Sequence, residues 1–389
     1  METIEATAEK PVADRIVRAY VVLGADPELF LAKRGRTVGS EKVIPEEGLK
    51  TERDDKVIRD GVQVEFNPTA QSCRQFLAQH MASCFKTLHK SLENTGLKIS
   101  YDATVEVTKA EMRSLSPGSR KFGCKPSKNA YHEGEYLNEV DGETFMQRSA
   151  GGHIHLGFYE GTEHNSKTMK NLMKKHPATL VKLLDYVLGN TCVLLDRDPG
   201  TKERRKMYGK AGEYRTPKHG LEYRVLSNFW IKDYKLMSFV FGLARQAMSI
   251  AYSSVEGAHG ASKTSPDFMA EIFAAVPEKD IIKAINQNDA VLAMRNFKKI
   301  RPILERITQT GDSFALHKDN IPRFLYLVEQ GIDAYIAKDT TKHWLTLSTA
   351  HGNGWESFSG PGGTLARDMM SKPQKVLEAV KGVARAIAV

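Results

Sequence analysis

The sequence predicts an α+β fold: short strands forming a sheet backed by helices, followed by a mostly helical C-terminal region. Three observations predict it. Stretches such as "DGVQVEFNP" (60–68) alternate apolar and polar residues with the period of two that belongs to a strand with one face buried. Other stretches repeat apolar residues at steps of three and four, the period of a helix. After about residue 255, nearly every patterned stretch has the helical period.

The elements follow in order. Residues 1–17 are a polar tail. "IVRAYVVLGADPELFLAKRG" is rich in β-formers and is interrupted at Gly24 and Pro27, which predicts a strand pair or one bulged strand. In residues 60–68, Val62, Val64 and Phe66 share one face, and Gln63, Glu65 and Asn67 the other. Cys73, Phe76, Leu77, His80, Met81 and Cys84 begin an apolar helical stripe that runs to Leu92, stopped by Asn94–Thr95–Gly96. Residues 97–107 alternate again and predict one strand. Residues 108–150, rich in Gly, Pro, Ser and charge, read as a long irregular segment. "HIHLGFY" is a strand, 177–196 a buried helix, and 212–230 two short strands around a turn at Lys218–Gly220. Residues 233–254 form an apolar helix with Asp233 as its N-cap. Residues 18–254 are expected to form one domain. Residues 255–389 form the helical region packed on it, with a glycine-rich loop at 351–363 and a last short helix.

The chain has 389 residues, 41% hydrophobic and 26% charged, the composition of a soluble globular protein with a substantial core. No run approaches the roughly eighteen apolar residues of a membrane span. "METIEATAEK" lacks the basic-then-apolar order of a signal peptide. Cys73, Cys84, Cys124 and Cys192 form no CxxC pair and read as reduced thiols, so a cytoplasmic location is expected. The net charge of +9 permits nucleic-acid binding without requiring it. The excess is local: Arg197 to Arg224 holds nine Lys/Arg against four Asp/Glu. Such a cluster suits a nucleoside triphosphate as well as it suits DNA.

Strand parity points to a site. Asp26 and Glu28 share a face if Pro27 leaves the strand intact. Glu65 lies on the polar face of its strand. His153 and His155 lie opposite Ile154 and Leu156, Glu213 with Arg215, and Glu222 with Arg224 opposite Leu221 and Tyr223. One sheet carrying all of these on its front would form a polar trough. Converging carboxylates repel one another unless their pKa values rise or a cation sits among them. Carboxylate oxygens suit Mg²⁺ or Mn²⁺, which commonly bridge to substrate phosphates. Arg204, Arg205, Lys206, Lys210, Arg215 and Arg224 would then face those phosphates, arginine with its forked geometry. Each feature alone has an ordinary reading: a solvated acid, a structural histidine, a salt-bridged surface hairpin. The conjunction on one side of the strands makes the case.

"GADPELFL", "DGVQVEFNP", "FGCKPSKNAY", "GGHIHLGF", "RRKMYGKAGEYR" and "HGLEYRVLSNFW" occur in an order that resembles the phage-type carboxylate–amine ligases, amidoligases of the glutamine synthetase-like superfamily. The resemblance covers roughly residues 18–240. It implies a curved antiparallel sheet that binds ATP and Mg²⁺ (or Mn²⁺), phosphorylation of a carboxylate, and displacement of phosphate by an amine. It implies metal ligation by Glu28, Glu65 and Glu222, with Asp26 competing with Glu28 for that role. It implies a metal or ATP-phosphate contact from His153 or His155, and stabilisation of the transferring phosphoryl group by Arg215 and Arg224. Lys125, Asn129, Tyr131 and Glu213 are candidate substrate contacts. No P-loop or GxSxG motif occurs.

The expected partners are ATP and small-molecule or peptide carboxylates and amines, in the host cytoplasm if the chain is phage-encoded. No membrane partner is expected, nucleic acid is not favoured, and a homo-oligomer is compatible with the superfamily. Two other readings stay open at this stage: a metal-dependent nucleic-acid-processing enzyme, and a phage structural or binding protein that keeps the fold without turnover.

Overall fold

The computed structural model describes residues 21–120, 127–136, 146–158, 164–254, 267–310 and 339–347. The strands are β1 (Val22–Lys33), β2 (Arg36–Val38), β3 (Leu49–Lys50), β4 (Lys56–Asp60), β5 (Gln63–Asn67), β6 (Lys98–Ser100) and β7 (Thr104–Glu106). They continue with β8 (Ser127–Asn129), β9 (His132–Tyr136), β10 (Gln147–Ser149), β11 (Gly152–Gly157), β12 (Glu213–Arg215) and β13 (Gly220–Tyr223). Eleven of them form one sheet in the order β3-β4-β5-β1-β11-β13-β12-β8-β9, with β2 and β6 also paired to β1; β7 and β10 form a separate pair. The pairings are antiparallel. The α+β class, with an antiparallel sheet backed by helices, is what the alternation predicts.

β1 is one continuous strand of twelve residues. Pro27 does not break it. Pro27 stands opposite Gly152 at the end of the β11 pairing, and the next donor, the Glu28 N–H, bonds the Gly151 carbonyl at 2.9 Å. The strand's parity therefore survives the proline. Leu23, Leu29 and Leu31 point into the core with Val64, Phe66, Ile154, Leu156 and Leu221. Each such side chain contributes about 1.5–3 kcal/mol on leaving water. The opposite face carries Asp26, Glu28, Glu65, His153, His155 and Glu222.

The helix Arg74–Leu92 packs on the β1–β5 part of the sheet and ends where expected, Asn94 and Gly96 both taking positive φ. Phe76, placed on its stripe by spacing, is 40% exposed; it lies at the edge of the face centred on Leu77, Met81 and Leu88. His80 does not pack as an apolar residue either: its Nδ1 lies 2.8 Å from Asp55. Residues 97–107 are two strands in different sheets, not one. Between them the Ala103 N–H leaves the ladder and donates to Asp198 at 3.0 Å. The supposedly irregular segment 108–150 contains the helices Lys109–Ser114 and Pro117–Arg120 and three strands.

Pro177–Leu184 runs through a π-helical turn, Asp185–Gly189, into Asn190–Val193, all on the sheet's covered side. Tyr234–Ser253 is capped by Asp233 as predicted, its carboxylate accepting from the Lys235 N–H. Helices Phe268–Ala275, Glu278–Gln287 and Ala290–Thr310 share the same core. So does Trp344, which stacks on Phe85 with centroids 5.1 Å apart and donates to Ile231 O at 2.7 Å. Cys73, Cys84 and Cys192 are free. Among the described residues no helix is long and apolar enough to cross a membrane. The tail 1–17, Lys125 and the 351–363 loop lie outside the described residues.

Candidate active site

Sheet register brings the predicted residues to one face of adjacent strands. Asp26 on β1 stands opposite His153 on β11, and Glu28 opposite Glu65 on β5. His155 stands opposite Glu222 on β13, and Glu222 opposite Arg215 on β12. An antiparallel neighbour repeats the parity of the strand beside it, so one face accumulates every polar position.

Two groups of potential metal ligands result. Asp26, His153 and Glu222 offer atoms within 4.8 Å of one another; so do Glu28, Asp60 and Glu65. In the first group His153 Nδ1 lies 3.2 Å from Asp26 Oδ1 and 3.8 Å from Glu222 Oε1, while His155 Nε2 lies 3.2 Å from Asp26 Oδ2. Glu222 Oε1 also meets the guanidiniums of Arg224 and, at 3.4 Å, Arg215. Burial alone would raise the Asp26 carboxyl, but His155 and His153 hold it well below the usual carboxylate range. Burial likewise works against Glu222, and His153 and Arg224 bring it below its ordinary value.

The second group is electrostatically different. Burial is the largest cause raising Glu28, Asp60 and Glu65 alike, and Glu65 reaches about 9 because Asp26, Asp60 and Glu28 crowd it. Glu28 accepts the Gly151 N–H at 2.7 Å and the Tyr208 hydroxyl at 3.0 Å; Glu65 accepts from Asn67 at 2.9 Å.

The donor set fits divalent cations. Three crowded carboxylates, each raised above its ordinary range, are hard oxygen ligands for a Mg²⁺ or Mn²⁺ ion. In the first group both ring nitrogens of His153 and Oδ1 of Asp26, and beside it Nε2 of His155, are buried without a hydrogen bond. Buried polar atoms rarely stay so. Gly151 makes the room: a Cβ there would lie 2.4 Å from His153 Nε2.

Other predicted residues are placed elsewhere. Arg204 is fully buried and donates to Val225 O and Arg224 O, both at 3.0 Å, with its guanidinium over the Tyr208 ring. Arg205 is buried and donates to Asn288 at 2.7 Å. Lys206 pairs with Glu203 at 2.7 Å. These basic residues therefore turn inward or pair locally and do not line the trough. Glu213 shares the polar face by parity, yet its carboxylate accepts the Gly209 and Lys210 N–H groups at 2.8 and 3.2 Å. Lys210 itself follows the helix Gly200–Met207 on that turn. Asn129 bridges the Ala211 carbonyl (2.9 Å) and the Tyr131 N–H (2.9 Å), and the Tyr131 ring lies under Lys182.

Three residues at the site escaped sequence reasoning. Asp60 ends β4, and its parity with Ile58, the partner of Glu65, puts it on the same face. The Asp60–Gly61 hairpin signal was available for it. Tyr208 gave no periodic signal. His219, in the β12–β13 turn, comes 2.9 Å from His155.

A family model described as phage phiEco32-like COOH.NH2 ligase-type 2 matches residues 135–344. That span includes His153, His155, Arg215, Glu222 and Arg224; it begins after β1 and β5 and continues into the C-terminal helices, further than the sequence motifs reach. No curated protein matches the sequence. Among solved structures, one titled apo GmaS without ligand is similar at 13% identity and TM-score 0.36, covering 81% of this chain and 70% of the other. A bifunctional glutathione synthetase from Pasteurella multocida is similar at 11% identity and TM-score 0.38, covering 95% of this chain and 52% of the other, so the chain spans about half its length.

Proposed function

The chain belongs to the phage phiEco32-like COOH.NH2 ligase family, type 2, and from that premise we propose an ATP-dependent ligation of a carboxylate to an amine through an acyl phosphate. The observation that supports it most is the pair of three-ligand groups side by side on one sheet face, with two arginines at their edge. In this reading Glu28, Asp60 and Glu65 hold one Mg²⁺ or Mn²⁺ ion, and Asp26, His153 and Glu222 a second. Ions held there would supply positive charge to offset that of the ATP phosphates and the charge that develops during transfer.

The chain's own residues do the rest. Arg215 lies at the rim of the first group, 3.4 Å from Glu222 and half-buried, and in this reading its guanidinium is the one that meets a phosphoryl oxygen. His153 and the buried Arg224 bring the Glu222 carboxyl below its ordinary value. Phosphoryl transfer needs positioned positive charge more than a protein nucleophile. A substrate carboxylate oxygen attacks the γ-phosphorus and ADP leaves; an amine then attacks the acyl carbon, the C–O bond to phosphate breaks, and an amide forms.

The test is incubation with ATP, Mg²⁺ and panels of amino acids and diamines, read by mass spectrometry. ADP, phosphate and amide should form in equal amounts, and an ¹⁸O-labelled carboxylate should pass one label to phosphate. ADP release with no amide for any pair, or unlabelled phosphate, contradicts the proposal.

A further inference from the structure

Tyr208 touches both ligand groups and belongs to neither. It is buried at the end of the helix Gly200–Met207, where its N–H donates to Arg204 O at 3.0 Å. The Arg204 guanidinium lies over its ring, 4.4 Å from the centroid, and that of Arg224 is 5.7 Å away. The His153 ring meets it at 64°, with centroids 6.0 Å apart. Arg204 cannot swing aside: it is fully buried and donates to Val225 O and Arg224 O, both at 3.0 Å. Gly209 permits that approach. Its φ is +78°, and a Cβ there would lie 2.1 Å from Arg204 Nη1. The ring therefore has one place, and so does its hydroxyl. The hydroxyl donates to Glu28 Oε2 at 3.0 Å, with the Ser149 carbonyl at the same distance as a second acceptor. The Gly151 N–H donates to the same Oε2 at 2.7 Å. Among the described residues no donor falls on Glu28 Oε1.

We infer that Tyr208 is a positioning residue that, buttressed by Arg204, pins Oε2 of Glu28 and leaves Oε1 as the oxygen for an ion; this rests on the reading of Glu28, Asp60 and Glu65 as a cation site. A carboxylate free to rotate presents either oxygen, and its ordering then opposes binding. Two donors on one oxygen stop that rotation before the ion arrives. Partners behind a ligand orient it, and their loss commonly costs metal affinity. The run "RRKMYG" thereby gains a use other than phosphate binding. The Arg204 charge lies against an aromatic face and two carbonyls, and its effect reaches the site through the Tyr208 hydroxyl.

Mn²⁺ titrations followed by electron paramagnetic resonance test this in two backgrounds. Glu222→Gln leaves the Glu28 group as the intact site, and Glu65→Gln leaves the Asp26 group. Tyr208→Phe keeps the ring and removes only the hydroxyl. It should weaken Mn²⁺ about tenfold in Glu222→Gln and less than about twofold in Glu65→Gln. A general loss of packing would lower both alike. Arg204→Lys should weaken Mn²⁺ by about threefold or more in Glu222→Gln, yet add less than about twofold once Tyr208 is Phe, because it acts through the hydroxyl. Additive losses overturn the role of Arg204. An effect of Tyr208→Phe below about twofold in Glu222→Gln, or equal losses in both backgrounds, overturns the inference. In metal-free protein the bonded hydroxyl should give a slowly exchanging low-field proton resonance, absent in Tyr208→Phe and shifted in Glu28→Gln. That resonance in a Glu222→Gln protein that binds no Mn²⁺ supports the placement of the hydroxyl and refutes instead the metal reading of Glu28.

Discussion

Replacing Glu65 by glutamine should flatten the pH dependence of stability in the metal-free protein. The Glu65 carboxyl is pushed from 4.5 up to about 9, by burial first and then by Asp26, Asp60 and Glu28. The folded chain thus keeps a proton that the unfolded chain releases. The stability tied to that proton is complete below about 4.5 and is lost as pH rises through about 9. Within that window the loss is about 1.4 kcal/mol per pH unit, so roughly 2.5 kcal/mol between pH 6 and 8. Glutamine is the neutral isostere and keeps an oxygen for the Asn67 donor now 2.9 Å away. Guanidinium denaturation in EDTA at pH 6, 7 and 8 should therefore show the unaltered protein losing roughly 2.5 kcal/mol more than Glu65→Gln across the range. The same proton opposes Mg²⁺, which must displace it. Affinity should tighten about tenfold per pH unit and at pH 7 stand about a hundredfold below its alkaline limit. Parallel stability curves for the two proteins would refute the electrostatic reasoning for this group.

Other outcomes follow from the same geometry. Arg215→Ala should lower kcat by about a hundredfold while the KM for ATP moves less than about tenfold, because its charge matters most in the transition state; equal effects on both, in steady-state kinetics, would mark plain substrate binding. Gly151→Ala should weaken Mn²⁺ binding without unfolding the chain, since the new methyl would meet His153 Nε2 at 2.4 Å and displace the ring; unchanged Mn²⁺ affinity by calorimetry would contradict this. Trp344→Ala should cost about 3–5 kcal/mol in chemical denaturation, the range for a large buried aromatic, because the ring is fully buried against Phe85 and its N–H is bonded to Ile231 O. A loss under about 1 kcal/mol would mean that residues 339–347 do not hold the core together.

What the sequence made legible is parity. Alternation along β1, β5, β11 and β13 assigned Glu28, Glu65, His153, His155 and Glu222 to the polar side of their strands, and antiparallel register turned four separate faces into one. Strand order is not written in alternation, so Asp60, on the neighbouring β4, and His219, in a turn, escaped notice until pairing placed them. Charge counting failed for a different reason. The basic run 204–206 lies on a short helix, and a helix distributes successive residues around its axis, so Arg204 and Arg205 point inward to carbonyl and amide oxygens while Lys206 stays outside with Glu203. The single strand expected over 97–107 was interrupted by a distant partner, Asp198, that claims the Ala103 N–H; local period cannot register such a contact.

The central claim is that two carboxylate-rich groups on one sheet face each hold a divalent cation. The most direct measurement is Mn²⁺ stoichiometry by electron paramagnetic resonance on the unaltered protein, Glu65→Gln and Glu222→Gln. The account predicts two ions per chain, with one lost in each variant. No bound Mn²⁺ in the unaltered protein, or two ions retained in both variants, would contradict it.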